Sequence, residues 1–504
     1  TAVTVTATGS TSGSSTTVTL TGSNSAIQAG MQLIAPTGTG SAQGNYITVT
    51  NVNGTAVTVS SAVTLASGTA LRTYFNNLLV NPSTASPFVP TTAPTTAPTS
   101  VAPTTLAIDP TRPWWLQGNF APVDDELDVV DLEVRGSLPP DLVGQYVKNG
   151  SNPPRRDSPH WFFGDGMVHG VRLANGKAEW YRNRFVATPN ITDPLKDSMG
   201  GLGDLSRGTA NTHVLPFNGS LLALEEGHWP WKLDSELNTL GYENFGGKLT
   251  CSMTAHPKVC PATGELIAFS YFSFEPPYLH YIRISPDGTL QQLEDIDIPN
   301  MVMMHDFNIT RNYVVFMDLP VCFNLGALST GFPFQFNRDA GARLGVMPRN
   351  GSNKDVRWFE IDPCYVFHPV NAHEENGNIV LHVSRMDSAF GESSDDYAEV
   401  GRLTRWVIDT AKGTVDEQQI DARAGDFGRV DDRLVGKKAR YAYLMALDGE
   451  GNSEEPVYGS RLLKYDLSTG TCVEHNLGDG VRGGEPVFAP RSPDAAEDDG
   501  KTDK

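Results

Sequence analysis

Three histidines beside apolar, strand-like runs are the residues of this sequence best placed to do chemistry. They are His256, His305 and His368, and Asp306 follows His305 at once. A buried imidazole must either hydrogen-bond a partner or bind a ligand such as a metal, because burying an unpartnered polar group is costly. For one such residue alone, a satisfied core histidine would be the better interpretation. Three of them, far apart in sequence and each at the edge of a run, favour a metal at the centre of a closed β-structure.

The elements that must position these histidines are short strands. Strand-like runs at 265–270, 313–317 and 378–382 alternate with turn sequences at 174–177, 262–265, 285–289, 410–414 and 468–471. No long helical periodicity interrupts them. Periodicity alone does not decide between a β-sandwich and a β-propeller. Roughly 390 residues of consecutive short strands favour the propeller, in which small sheets repeat around an axis.

Composition limits the classes of partner. The 504-residue chain carries a net charge of −20, which argues against nucleic-acid binding because that affinity rests on Lys and Arg. Partners are therefore expected to be neutral or apolar. No apolar run approaches the roughly 20 residues of a membrane-spanning helix. The five cysteines show no C-x-x-C spacing, so reduced thiols are expected, with neither a zinc site nor a disulfide framework.

The first hundred residues differ in composition from the rest. Residues 1–80 are rich in Thr, Ser, Val and Gly and predict a small all-β module, with a hairpin turn at Asn53-Gly54. They loosely resemble β-modules of phage and bacterial surface proteins, and a spacer or oligomerisation module without chemistry is the favoured interpretation. Residues 81–110 form a Pro/Thr-rich stretch that predicts an extended linker. The remaining domain is predicted to span 111–504.

The histidine motifs also carry a family resemblance. Ala-His-Pro-Lys at 255–258, Met-His-Asp-Phe at 304–307 and Phe-His-x-x-Asn-Ala at 367–372 resemble three of the four iron-ligand motifs of the carotenoid cleavage oxygenases, in the family's order. Further blocks similar to the family lie at 144–153, 163–169, 221–226, 440–444 and 483–486. The resemblance runs from about Trp114 to about Gly500. It implies an all-β, seven-bladed β-propeller with a loop or helix cap, whose last blade is incomplete in this sequence.

The resemblance implies Fe(II) on the propeller axis, held by His256, His305 and His368. In the family, glutamates accept hydrogen bonds from the second ring nitrogen of the ligands. Glu226 and Glu485 match two of these positions. The third is Asp426, one methylene shorter than Glu, so its contact with an imidazole is expected to need a bridging water. No organic cofactor is implied.

The fourth family ligand lies in a Gly-Phe-His-Gly-like motif well beyond Gly-Gly-Glu-Pro, and no such motif follows residues 483–486 here. His475 is the only histidine in this last part and is not assigned as a ligand. Three histidines can still hold iron, as facial-triad sites do with three protein ligands. A longer natural chain, a second chain that supplies the missing piece, and a degenerate copy all stay open.

By this resemblance the chain is a non-haem iron(II) dioxygenase that uses O2 to cleave a conjugated C=C bond of a carotenoid or apocarotenoid into two carbonyl products. One alternative is a non-catalytic propeller on a surface or virion module. Another is a stilbene-cleaving dioxygenase, against which the segment 184–190 offers no lysine to activate a phenol. A carbohydrate-binding propeller ranks last, because it leaves the histidine motifs without a purpose.

Several further residues are open between two interpretations. The aromatic side chains of 161–163 and Phe367 line a tunnel or belong to the core. The apolar segment 321–336 is expected to be too irregular for a strand, and forms a tunnel mouth, a peripheral membrane contact or buried packing. The remaining histidines are expected to be structural, surface or core residues: His160, His169, His213, His228, His280, His373 and His382. The propeller suits a cytoplasmic protein, whereas the N-terminal module and linker suggest a surface, secreted or virion-associated one.

Overall fold

The structure, a computed structural model, comprises two compact units, Thr1–Pro103 and Thr104–Lys504. It describes residues 4–6, 15–19, 32–34, 47–53, 56–63, 70–74, 109, 111–154, 157–193, 203–330, 332–391, 400–447, 459–478 and 481–500. Apart from Asp109, the predicted linker 81–110 lies outside the described residues. The domain boundaries predicted from composition stay predictions.

The first unit contains a six-stranded sheet in the order β1-β6-β3-β4-β5-β2. Its strands are β1 (Thr4–Thr6), β2 (Ser15–Thr19), β3 (Gln32–Ile34), β4 (Ile47–Asn53), β5 (Ala56–Val63) and β6 (Ala70–Tyr74). β4 and β5 are antiparallel neighbours with Asn53 opposite Ala56. The predicted pairing of the strands on either side of Asn53-Gly54 is therefore confirmed, whereas the turn residues 54 and 55 lie outside the described residues.

The second unit begins with three antiparallel four-stranded sheets. The first has the order β7-β10-β9-β8, and the next two follow sequence order. The strands are β7 (Asp128–Val130), β8 (Gly144–Asn152), β9 (Asp165–Ala174), β10 (Lys177–Phe185), β11 (His213–Phe217), β12 (Ser220–Leu224), β13 (Trp231–Leu233), β14 (Thr239–Tyr242), β15 (Lys258–Val259), β16 (Leu266–Ser270), β17 (Leu279–Ile284) and β18 (Leu290–Ile296).

A fourth four-stranded sheet has the order β19-β20-β23-β24, and β21 pairs with β22 beside it. The last sheet has seven strands in sequence order. Its long strand β28 pairs with β27 through Ala424 and with β29 from Gly425, so it joins two four-stranded halves. The strands are β19 (Asn308–Ile309), β20 (Tyr313–Asp318), β21 (Val321–Phe323), β22 (Phe334–Phe336), β23 (Ala342–Pro348), β24 (Arg357–Ile361), β25 (Tyr365–Glu375), β26 (Asn378–Met386), β27 (Arg402–Asp409), β28 (Thr414–Arg429), β29 (Tyr441–Ala446), β30 (Arg461–Asp466) and β31 (Thr471–Asn476).

Helices are few and short among the described residues. The one α-helix is Pro189–Thr192, and the 3-10 helices are Trp114–Leu116, Gly118–Phe120, Trp161–Phe163, Leu325–Thr330, Arg338–Ala340, Asn353–Asp355 and Asp432–Leu434. No helix in this part of the chain has the length and apolar character needed to cross a membrane. The all-β prediction is confirmed, whereas the seven-blade count stays a prediction.

Turn chemistry sets the strand boundaries. In the β9–β10 hairpin, Asn175 and Gly176 adopt left-handed φ angles of 54° and 71°, which Asn and Gly tolerate better than other residues. The three predicted strand runs at 265–270, 313–317 and 378–382 correspond to β16, β20 and β26. All five cysteines are free, as predicted.

The segment 321–336 was predicted to be too irregular for a strand, and this prediction is wrong. Val321–Phe323 and Phe334–Phe336 form the antiparallel pair β21–β22, with Val321 opposite Phe336. Each strand has only three residues, and the Gly and Pro between them obscure the pattern. Leu325 within the connection is 70% exposed, so buried packing does not describe the whole segment.

One edge strand of each sheet positions the candidate site. β8, β11, β15 and β19 lie at the edges of their sheets, and β25 begins the seven-stranded one. Contacts join β8 to β11 and β19 to β25, each pair from two different sheets, and within the seven-stranded sheet β25 also contacts β28. In these two cases neighbouring sheets meet through their edge strands, as blades do around a propeller axis. Behind them, large fully buried side chains such as Phe269, Phe316 and Trp406 fill the core.

Candidate metal centre

The three predicted ligand histidines lie shortly before, or within, edge strands of three different sheets. His256 precedes β15 by two residues, His305 precedes β19 by three, and His368 lies in β25. Residues more than a hundred positions apart are thus brought to one place, where each sheet presents a single imidazole. The structure joins these three into one group of possible metal ligands, the only such group in the described part of the chain.

The Nε2 atoms of the three rings converge. His256 Nε2 lies 2.9 Å from His305 Nε2, which lies 3.3 Å from His368 Nε2. With a metal–nitrogen bond of about 2.1 Å, two ligands at right angles stand about 3.0 Å apart, so these separations fit neighbouring ligands of one ion. Without a cation, the lone pairs of neighbouring Nε2 atoms would repel each other, and the donor set therefore fits a metal such as Fe(II).

Carboxylates fix two of the rings from behind. His305 Nδ1 donates to Glu226 Oε2 at 2.8 Å, and His368 Nδ1 donates to Asp426 Oδ2 at 3.0 Å. A proton on Nδ1 leaves the Nε2 lone pair facing the centre, as metal ligation requires. The expectation that Asp426 needs a bridging water is wrong. Asp426 lies in β28 beside β25, and this adjacency compensates for the missing methylene.

Glu485 occupies a different role from the one its motif predicted. Its Oε1 accepts a hydrogen bond from Arg429 Nη1 at 2.6 Å. Burial raises the pKa of Glu485, but the Arg429 and His213 charges outweigh it and lower the pKa to about 2. Contact with a ligand imidazole is not seen for Glu485 within the described residues, where this carboxylate is the counter-ion of Arg429.

His213, expected to be an ordinary surface or core histidine, lies against a ligand. Its ring stacks on His256 with centroids 5.5 Å apart and planes 26° apart, and its Nδ1 donates to the Ala255 carbonyl at 2.8 Å. Burial, helped by the neighbouring His305 and His368 charges, holds the pKa of His256 well below its usual value. His256 is therefore neutral near pH 7 and ready to donate a lone pair.

A buried ion pair lies beside the candidate ligands. Lys258 Nζ approaches Asp306 Oδ1 to 2.7 Å and Oδ2 to 3.0 Å. Asp306 is only 3% exposed, and burial raises its pKa despite the Lys258 charge. Each partner follows a ligand histidine in sequence, Lys258 by two residues and Asp306 by one. The pair therefore ties two ligand segments together.

A cavity of about 2660 Å³ opens onto the three histidines. This volume exceeds that of a drug-sized site, about 300–1,000 Å³, and leaves room for a long ligand. Its wall includes aromatic side chains of several elements: Trp114, Phe120, Trp161, Phe162, Phe163, Phe272, Phe332, Phe334 and Phe367. Of the two interpretations left open for 161–163 and Phe367, the structure favours a place in the cavity wall.

The remaining histidines are mostly structural, as predicted. His160 is 1% exposed and its Nδ1 accepts from the Phe162 backbone N–H, which caps the helix Trp161–Phe163. His169 bonds Tyr181 Oη at 2.8 Å. His373 and His382 stack against each other between β25 and β26, with centroids 6.3 Å apart. His169 and His228 also line the cavity, and His228 pairs there with Glu225.

Comparison with known proteins agrees with this geometry. Residues 120–501 match the family model described as retinal pigment epithelial membrane protein. A carotenoid cleavage oxygenase of Mycobacterium tuberculosis is 37% identical over 452 residues, covering 79% of this chain and 90% of the relative. Carotenoid 9,10(9',10')-cleavage dioxygenase 1 of Pisum sativum is 38% identical over 449 residues, covering 77% and 81%.

Solved structures extend the likeness to the fold. The lignostilbene dioxygenase of Pseudomonas brassicacearum superposes with a TM-score of 0.69 at 34% identity, covering 77% of this chain and 89% of that one. Cobalt-substituted Synechocystis ACO gives 0.66 at 30% identity, covering 75% and 87%. The converging histidines, the radial sheets and these likenesses agree, and the chain belongs to the carotenoid cleavage oxygenase family.

Proposed function

We propose that this chain is a non-haem iron(II) dioxygenase that cleaves a conjugated C=C bond of a carotenoid or apocarotenoid into two carbonyl products. The observation that carries the proposal is the convergence of three Nε2 atoms, with separations of 2.9 and 3.3 Å, at the wall of an aromatic cavity. The named relatives that cleave carotenoids support the substrate class.

The chain's own residues prepare the site for this reaction. His256, His305 and His368 would hold the iron, and Glu226 and Asp426 keep two of the rings in the ligating tautomer. Ferrous iron, when bound, would supply the activation of O2, and the overall reaction would add one oxygen atom to each carbon of the cleaved bond. No protein group needs to give or take a proton in this overall balance.

The aromatic wall supports binding of an apolar, flat substrate. Phe367 lies 5.6 Å from the His305 ring in an edge-to-face arrangement, and it also contacts Phe390. Rings so placed favour the faces of a polyene and keep water away from the reacting bond. The cavity would thus position one double bond of the polyene beside the histidines, while the rest of the polyene extends along the aromatic wall.

The test is turnover by the full chain loaded anaerobically with Fe(II), then given O2 and a carotenoid or apocarotenoid. We expect two carbonyl products in equal amounts, identified by chromatography and mass spectrometry. His305→Ala should abolish them, whereas His475→Ala, which changes an exposed histidine on β31, should not. Equal turnover by parent and His305→Ala, or none by the iron-loaded parent, would overturn the proposal, the second outcome favouring the non-catalytic alternative.

A stilbene substrate is the second candidate, supported by the likeness to a lignostilbene dioxygenase. The same assay with a hydroxylated stilbene decides between the two. Cleavage of the stilbene with no cleavage of any carotenoid would move the substrate class to phenolic stilbenes and leave the iron site as proposed.

A further inference from the structure

Two consecutive glutamates at the end of β12 each hold a histidine. Glu226 accepts from His305, a candidate iron ligand, at 2.8 Å. Glu225 accepts from Nδ1 of His228, and its Oε2 also accepts from the Gly227 backbone N–H at 3.1 Å. Because neighbouring residues are about 3.8 Å apart at Cα, the two carboxylates place His305 and His228 in the same part of the cavity. Both histidines line its wall.

The His228 ring is held in one orientation. A Cβ on Gly208 would lie 2.6 Å from His228 Cβ and 2.8 Å from Glu225 Oε1, so the backbone at Gly208 approaches the pair as closely as only glycine allows. With Nδ1 bonded to Glu225, Nε2 is the ring atom left for another partner. Within the part of the chain that the structure describes, no hydrogen-bond partner of Nε2 is found.

The surrounding charges suit a neutral ligand group. Asp204 and Arg207 line the same stretch of cavity as Glu225 and His228. Burial lowers the pKa of His228, but the hydrogen bond and charge of Glu225, with Asp204, raise it overall. With His228 protonated, His228 with Glu225 and Arg207 with Asp204 each set one cation against one carboxylate, and Glu226 is already bonded to His305. A hydroxyl fits best, because it can accept from Nε2–H and also donate to a carboxylate, whereas a carbonyl can only accept.

We propose that His228, positioned by Glu225, binds a hydroxyl group of the substrate, so that the preferred substrate is a hydroxylated carotenoid and not a hydrocarbon carotene. This inference rests on the proposed function, because it names the substrate class of that same cavity. His228 acts as an anchor that sets which double bond lies beside the histidines, and it takes no part in the chemistry.

The test is equilibrium binding to the full chain without added iron, which separates binding from turnover. Polyenes quench nearby tryptophans, and Trp114 and Trp161 line the cavity. We compare a carotene with its ring-hydroxylated counterpart. The parent chain is expected to bind the hydroxylated form about tenfold more tightly, the effect of one charge-assisted hydrogen bond. In His228→Leu and in Glu225→Gln this preference should fall to about onefold or twofold.

His280→Leu is the matched control, because His280 also pairs with a carboxylate, Asp295 at 2.8 Å, but lies outside the cavity wall. It should keep the tenfold preference. Binding of both polyenes with equal affinity by the parent, or a preference that survives His228→Leu, overturns the anchor and leaves the proposed dioxygenase standing. Binding of neither polyene overturns the anchor and the proposed substrate class together.

Discussion

The buried histidine pair between β25 and β26 predicts that the propeller unit loses stability as the pH falls. His382 is 5% exposed, and burial, with the neighbouring His373 and Arg405 charges, lowers its pKa to about 3. Its unfolded value is the ordinary 6.5. A depressed folded pKa means that the full stability is present above about pH 6.5 and is lost as the pH falls towards about 3.

The size of this loss follows from linkage. Between about pH 7.5 and about pH 5, a group with pKa 6.5 unfolded and about 3 folded lowers the free energy of unfolding by about 2 kcal/mol. His382→Leu removes the titrating ring at similar volume. The variant should therefore lose about 2 kcal/mol less than the parent over the same pH interval, because the titrating groups outside this histidine pair contribute equally to both.

The assay is urea unfolding at both pH values, followed by tryptophan fluorescence. All eight tryptophans lie in the unit Thr104–Lys504, so the signal reports on the propeller alone. His475→Leu, on the exposed strand β31, should behave as the parent does. An equal loss of free energy in the parent and in His382→Leu would refute the reasoning.

Two further substitutions test packing near the site. Lys258→Met leaves the buried Asp306 carboxylate without its ion-pair partner and should lower the free energy of unfolding by about 3 kcal/mol in urea at neutral pH. A loss below about 1 kcal/mol would contradict a buried ion pair. Gly166→Ala would put a Cβ 2.2 Å from the Ala210 carbonyl oxygen and should lower the free energy of unfolding by about 3 kcal/mol. Gly150→Ala on the paired strand is the control, because its Cβ would meet nothing within 4 Å. Equal losses for the two variants in thermal unfolding would refute the predicted clash.

Local sequence signals predicted the strands well, because turn chemistry acts over a few residues. The Asn175-Gly176 pair can adopt left-handed backbone angles with little strain, and the strands on either side end and begin where the sequence predicts. The pair β21–β22 was missed for the opposite reason. Three-residue strands give too short an alternation to recognise, and their pairing depends on the fold around them.

The candidate ligand histidines could be predicted because each stands in its own motif, and Glu226 and Asp426 were predicted beside them, but their other neighbours could not be predicted. The ion pair of Glu485 with Arg429 joins residues 56 positions apart, and the stacking of His213 on His256 joins residues in adjacent sheets. Such contacts depend on where the inner strands meet. A signal for His228 was present in the sequence, since Glu225 and Glu226 precede it by three and two residues, but only the structure shows that the two carboxylates bond different rings.

The central claim is that three imidazoles form one iron site, and the most direct measurement is the iron content of the purified chain after anaerobic loading with Fe(II). From this claim we expect nearly one iron per chain for the parent and for His475→Ala, and loss of that iron in His305→Ala, whose Nε2 lies 2.9 Å from that of His256 and 3.3 Å from that of His368. A parent chain that retains no iron, or a His305→Ala chain that retains as much as the parent, would contradict it.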